Sequence, residues 1–219
     1  MDMKKAMQER HTVRRYTDKP ISREAAEQLA RLAEGLNMEH GTAIELKTED
    51  SRAFGALTRL VLAKGVHNYF LMAGEERPGL DEALGFCGAE LMLSAQALGL
   101  NTWWAGGTFN RRLMEELAPG KRVAGVIAVG YGRTPGVPHR SKTPGQVSAY
   151  EGDAPEWFKE GVKAALLAPT ALNRQGFMLT GSGRRVELRC ENGIFSGVDA
   201  GLVKYHFELG AGTENFEWV

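Results

Sequence analysis

The chain has 219 residues, 43% of them hydrophobic, and its 27 Lys plus Arg balance its 27 Asp plus Glu. That length gives one large domain or two small halves with a sizeable core, and the lack of net charge excludes a general field for nucleic acid or an anionic membrane surface. Any anion site has to be built locally.

Cys87 and Cys190 have no CxxC spacing and sit in apolar or mixed runs, as expected in a reducing cytoplasm. Residues 1–10 are charged and lack a signal-peptide core, and no run reaches the roughly 18 apolar residues of a membrane span. The expectation is a cytoplasmic protein with no membrane and no nucleic-acid partner. His11, His40, His67, His139 and His206 show no HExxH spacing, so no metal site is expected.

In chain order, Met3 and Met7 suggest a short helix. Ser22, after Pro20, caps a second helix to about Gly35 with the stripe Ala25, Ala26, Leu29, Leu32 and Ala33. A strand is expected near 43–47, then a helix over 51–63 with Phe54, Leu57, Leu60 and Val61 on one face. Residues 67–73 read as a buried strand. Residues 81–98 read as the longest helix, with Leu84, Cys87, Leu91, Ser94, Ala95 and Leu98 spaced three or four apart and Gly99 ending it. Residues 101–105 lead into Gly106 and Gly107, and 122–131 is a continuous apolar run suited to a central strand. Residues 133–155, rich in Pro, Gly, Ser and Thr, mark a linker or covering loop. A helix over 155–167, a loop at 168–176, two strands over 177–190 and a helix over 199–209 follow. This order echoes the first part, and both 81–98 and 199–209 open with Asp, which suggests a degenerate repeat.

Four constellations have chemical potential. Arg10, His11, Thr12, Arg14 and Arg15 cluster where a helix gives way to an extended segment and present the charge and forked donors that suit a phosphate. Residues 168–175 (APTALNRQ) follow a helix, and the amides of Asn173 and Gln175 both donate and accept, as a heterocycle edge requires. Trp103, Trp104, Ala105, Gly106 and Gly107 set aromatic rings beside open backbone amides. Arg140 and Lys142 add cations in the long connection. Each also has a plainer reading: a solvated helix end, a helix-stopping turn, a tight turn with core tryptophans, a solvated loop. Gly130-Tyr131-Gly132 and Gly181-Ser182-Gly183 are not dinucleotide fingerprints, because no helix follows the first and a hairpin strand follows the second.

Together these pieces resemble the nitroreductase family of FMN enzymes, and within it a branch whose single chain looks like two unequal halves. Arg10, His11, Thr12 and Arg14 are similar to the family's opening R-R-S-x-R motif. APTALNRQG at 168–176 is similar to its A-P-S-x-x-N-x-Q-P motif, with Thr170 for Ser and Gly176 for Pro. Residues 81–104 look like its central helix and following turn, and 122–132 like its V-x-A-x-x-A-V-G-Y strand.

The resemblance implies an α+β fold with a central mixed β-sheet surrounded by helices, in two unequal pseudo-repeated halves, 1–150 and 151–219, within one integrated domain. It implies non-covalent FMN held by Arg10, His11, Thr12, Arg14, Trp104, Ala105, Gly106, Gly107, Arg140, Lys142, Pro169, Thr170, Ala171, Asn173 and Gln175. Hydride would pass from NADH or NADPH through flavin N5 to a nitroaromatic, quinone or similar small-molecule acceptor in a ping-pong cycle, with no catalytic side chain. The chemistry would be the cofactor's. In family homodimers the arginine motif and the P-S-x-x-N segment come from opposite subunits. Here both lie in one chain, so the resemblance favours a monomer imitating the dimer over a homodimer. The alternatives are an FMN carrier or sensor without turnover, and a domain with no cofactor.

Overall fold

The structure is a computed structural model and describes residues 2–219. Helix α1 (Met3–Glu9) starts where Asp2 accepts from the Lys5 amide, and α2 (Arg23–His40) starts where Ser22 accepts from the Ala25 amide. Helix α2 does not stop at Gly35. That glycine has open space around it and only weakens a helix by about 1 kcal/mol. The stop is Gly41, whose φ of 60° is the left-handed conformation that ends helices.

Strands β1 (Glu45–Lys47), β2 (Tyr69–Gly74), β3 (Asn101–Ala105) and β4 (Arg122–Gly130) form an antiparallel sheet in the order β1-β2-β4-β3. On one face Phe70, Met72, Ile127 and Val129 join the main core with α2 and α4 (Leu80–Ala97). On the other, Tyr69, Leu71, Val126 and Ala128 join Phe54, Trp103 and Met114 of α5 (Arg111–Leu117). Burial on both faces is why β2 and β4 read as unbroken apolar runs. Helices α2 and α4 are equally long, 18 residues each. The helix expected over 51–63 shrinks to α3 (Ala56–Val61): Phe54 is anchored in the core ahead of it, while Leu57 and Leu60 are 76% and 74% exposed. Their spacing mimics a core stripe without being one.

The chain continues through α6 (Pro144–Val147), β5 (Ser148–Tyr150), α7 (Glu156–Ala165), β6 (Phe177–Ser182), β7 (Arg185–Cys190), α8 (Ser196–Ala211) and β8 (Glu217–Trp218). Strands β6 and β7 form an antiparallel hairpin, flanked by β5 and β8 in parallel. The single central mixed sheet expected from the resemblance is thus replaced by two four-stranded sheets, and only the second is mixed. A physical reason is visible at β3, whose outer edge is taken by the arginine segment: Thr12 bridges Thr102, and the Val13 amide donates to the Thr102 carbonyl at 3.1 Å. Later strands find that edge covered. Both sheets contribute to the main core around α4, α7 and α8. No helix among the described residues is long and apolar enough to cross a membrane.

Helices α4 and α8 cross with their backbones in contact. A Cβ built on Gly85 collides with the Val198 carbonyl, and one built on Gly201 collides with the Glu82 carbonyl, so each glycine meets the carbonyl three residues before the other. The crossing is locally reciprocal. Lys204 and Glu82 add an ion pair across it at 2.6 Å. Gly85→Ala or Gly201→Ala therefore forces backbones apart and is expected to lower stability by about 3 kcal/mol, an upper-range overpacking loss. Gly35→Ala, with nothing to strike, is expected to raise it by roughly 0.5–1 kcal/mol. Urea unfolding of the three variants checks both signs.

Candidate functional site

The arginine segment leaves α1 and runs extended along the first sheet. Thr12 pairs with β3, Tyr16 bridges Gly132, and the Tyr16 amide donates to the Lys64 carbonyl at 2.8 Å. This path sends its cations to different places. Arg10 caps α1 through its amide, and its side chain turns inward: the residue is 4% exposed, and Nε and Nη1 have no partner. Burial lowers its pKa to about 10. Arg14 remains exposed, with its guanidinium 5.3 Å above the Trp103 ring. Arg10 thus points into the core while Arg14 stays at the surface. His11 is part-buried beside Gly136, its pKa lowered by burial and then by the charges of Arg10 and His139.

The connection and the 168–175 segment are locked together. Gln175, 1% exposed, accepts from the Lys142 amide at 2.7 Å and donates to the Leu166 carbonyl at 2.8 Å and the Ser141 hydroxyl at 3.0 Å. The Lys142 ammonium donates to the Gln175 carbonyl at 2.9 Å, and the Asn173 amide to the Arg140 carbonyl at 2.7 Å. Both ends of the Gln175 amide are thus engaged by protein, and the Arg140 side chain is exposed. Pro169 follows α7. Thr170 is buried and its hydroxyl accepts from the Gln175 amide at 3.1 Å. Leu172, Asn173 and Gln175 all have positive φ, 52°, 54° and 48°. Three non-glycine residues in that region within four positions mark stored strain, which clusters at functional sites. Asp199, in the first turn of α8, steadies the turn by accepting from the Ala171 amide at 2.8 Å. Burial raises the Asp199 pKa to about 6, against that one bond.

At the far end of β3, Trp104 packs against Gly88 of α4 and Ala105 is buried. Gly106 and Gly107 meet Phe195, whose ring lies 2.7 Å from a Cβ built on Gly106. Two surface cavities, of about 430 and 450 Å³, lie beside Arg59 and Lys64 and beside Phe158 and Val162, and no predicted site residue lines either. The structure therefore brings the connection, the strained turn and the start of α8 together, with Arg10 buried nearby and Gly106 capped by Phe195. Sequence reading missed Phe195, Asp199 as an anchor, and His206. Only His206 carried a signal, a polar ring within the apolar stripe Leu202, Val203 and Phe207.

The model of a family described as "Putative TM nitroreductase" matches residues 2–211. Among solved structures, a putative nitroreductase from Thermotoga maritima superposes with a TM-score of 0.69 at 20% identity, covering 96% of this chain and 83% of that one. A putative nitroreductase from Desulfovibrio desulfuricans, solved in complex with FMN, gives 0.55 at 19% identity, covering 71% of this chain and 98% of the other. A putative NADH dehydrogenase/NAD(P)H nitroreductase from Parabacteroides distasonis gives 0.54 at 17%, covering 67% and 96%. No curated protein matches the chain. These likenesses concern the fold, whereas the family match runs through nearly the whole sequence: the chain belongs to the Putative TM nitroreductase family.

Proposed function

We propose that the chain is an FMN-dependent oxidoreductase that takes hydride from NADH or NADPH and passes it to a nitroaromatic, quinone or similar acceptor. One observation carries the reading: a buried arginine with two unpaired donors acts, together with His139 of the connection, on His11 and His206. A buried, unpaired cation is costly unless an anion joins it. A phosphomonoester supplies that anion, and the FMN-bound relative of the same fold favours FMN as its bearer. Bound FMN supplies a ring that accepts and donates hydride.

The chain's own part is placement. Arg10 holds the phosphate, Lys142 and Gln175 fix the turn, and the Gly106 and Gly107 amides are the donors at the ring end. Phe195 lies over Gly106, while Gly107 stays exposed. The Phe195 ring over Gly106 occupies space where an acceptor would approach, which favours the second reading, an FMN carrier or sensor without turnover. The reciprocal crossing of α4 and α8 supports a single chain standing in for a dimer.

Purified protein is expected to be yellow, with one FMN per chain at monomer mass, and to bleach when NADH or NADPH is added without oxygen. A yellow protein that neither nicotinamide reduces leaves the carrier, and a colourless protein that ignores FMN sinks both.

Arg10→Met separates function from folding. Each charge-assisted contact is worth about 1.5–3 kcal/mol, so FMN affinity should fall roughly 10- to 150-fold while riboflavin affinity holds. The FMN-free variant should melt higher than wild type, since an unpaired buried charge is gone. An unchanged FMN affinity places the phosphate elsewhere.

Asp199 gives a pH test. Its folded pKa of about 6 lies above the unfolded value of about 3.9, so the native state binds more protons between them and stability falls as pH rises through that window. Asp199→Asn keeps an acceptor for Ala171 and removes the charge. The urea midpoint of the variant should match wild type near pH 4 and exceed it at pH 7; a variant weaker at pH 7 overturns this account.

A further inference from the structure

Five buried side-chain atoms among the described residues lack a hydrogen-bond partner: Arg10 Nε and Nη1, Gln96 Oε1, Thr102 Oγ1 and His206 Nε2. Two of the residues stand in one neighbourhood. Met7 of α1 packs in a cluster with Tyr205 and Leu209 of α8, Arg10 follows directly at the end of α1, and His206 is next to Tyr205. Thr102 is tied to the same segment through its bridge to Thr12.

The unpaired atoms differ in kind. Arg10 can only donate. His206 Nδ1 lies 2.7 Å from the Leu202 carbonyl, which can only accept, so Nδ1 carries the proton and Nε2 presents a lone pair. His206 is 1% exposed, and burial pushes its pKa down to about 3, assisted by the charges of Arg10 from the end of α1 and His139 from the connection. The nearby carboxylates act elsewhere: Glu90 of α4 and Glu208 of α8 bear on Tyr205, and Glu160 of α7 on Lys163. The ring is neutral at ordinary pH, with its acceptor unsatisfied, and the Arg10 guanidinium, also unsatisfied, is near enough to act on it.

We propose that His206 is a second binding residue of the Arg10 site, accepting a hydrogen bond from a protonated oxygen, so that the site takes a phosphomonoester together with one proton. The inference rests on the FMN reading and deepens it. Arg10 donates to the charged oxygens, and a P–OH group donates to Nε2. A phosphate dianion would set lone pair against lone pair unless the ring itself took up the proton. Either way one proton enters with the phosphate.

A phosphomonoester loses its second proton near pH 6. Above that, FMN should weaken by about tenfold per pH unit in wild type, while riboflavin, lacking phosphate, stays flat. Titration of FMN fluorescence from pH 6 to 9, with calorimetry in buffers of different ionisation heat to count the proton, reads this. His206→Gln can turn its amide to donate to the dianion and should flatten the FMN profile and abolish the proton uptake. A flat wild-type profile means that only water bridges Arg10 and His206 and overturns the inference, as does a slope that survives in His206→Gln.

Inorganic phosphate, read as a pH-dependent rise in melting temperature, is the second probe. If FMN fails to bind but phosphate stabilises wild type with the same His206-dependent slope, the cofactor reading falls and His206 stands. If neither ligand binds, both fall.

Discussion

The crossing of α4 and α8 is the contact on which the site depends. Gly85 and Gly201 remove the side chains that would hold the helices apart, so each backbone reaches the other's carbonyl. Close approach multiplies small dispersion gains and weak Cα–H contacts, and it also fixes the axial position of α8 against the first sheet. That position delivers three groups at once. Phe195 reaches Gly106, Asp199 reaches Ala171, and His206 comes to the end of α1. A slip of α8 by one turn, 5.4 Å, would disconnect all three.

Unfavourable terms gather where these groups meet. Leu172, Asn173 and Gln175 hold left-handed backbone at about 1 kcal/mol or more each. Asp199 is a carboxylate whose burial is opposed by one amide bond, and Arg10 is a cation with two idle donors. The turn is held by hydrogen bonds from several sides: the Gln175 amide to the Thr170 hydroxyl, the Lys142 amide to the Gln175 side-chain oxygen, and the Asn173 side-chain amide to the Arg140 carbonyl. Elsewhere the described core is mainly apolar, with Gln96 Oε1 and Thr102 Oγ1 its unpaired atoms. Strain and desolvation concentrated in one place, with rigid support around it, are what a preorganised binding site requires.

Much of the fold was legible because local physics set it. Helix α4 shows its buried face at three- and four-residue spacing, β4 shows burial on both faces, and Ser22 caps α2 as its hydroxyl predicts. What failed was non-local or short. Nothing within a strand says which edge it will find, so two sheets were read as one. Leu57 and Leu60 carry a helical spacing that no partner covers. Strand β8 spans two residues, too short to stand out. At the candidate site, residue types gave the cations and amides, but direction came only from packing: Arg10 turns inward while Arg14 stays over Trp103, and Gln175 spends its amide on the protein's own backbone. Phe195 belongs to no motif, and only the α8 crossing reveals what it covers.

A chain with no net charge cannot rely on long-range attraction for an anion, so in the proposed site the charge comes from one desolvated side chain, Arg10. Charges 4 Å apart attract by about 1 kcal/mol in water but about 4 kcal/mol at the effective dielectric of a protein site. The exposed Arg14 and Arg140 sit nearer the first limit and are screened by salt, whereas Arg10 sits nearer the second. If Arg10 holds a phosphate as proposed, the charge-based part of the discrimination between a ligand with a phosphate and one without it falls mainly on Arg10. The same burial burdens the ligand-free fold with an unpaired charge, so in the proposed site any affinity gained through Arg10 is set against ligand-free stability.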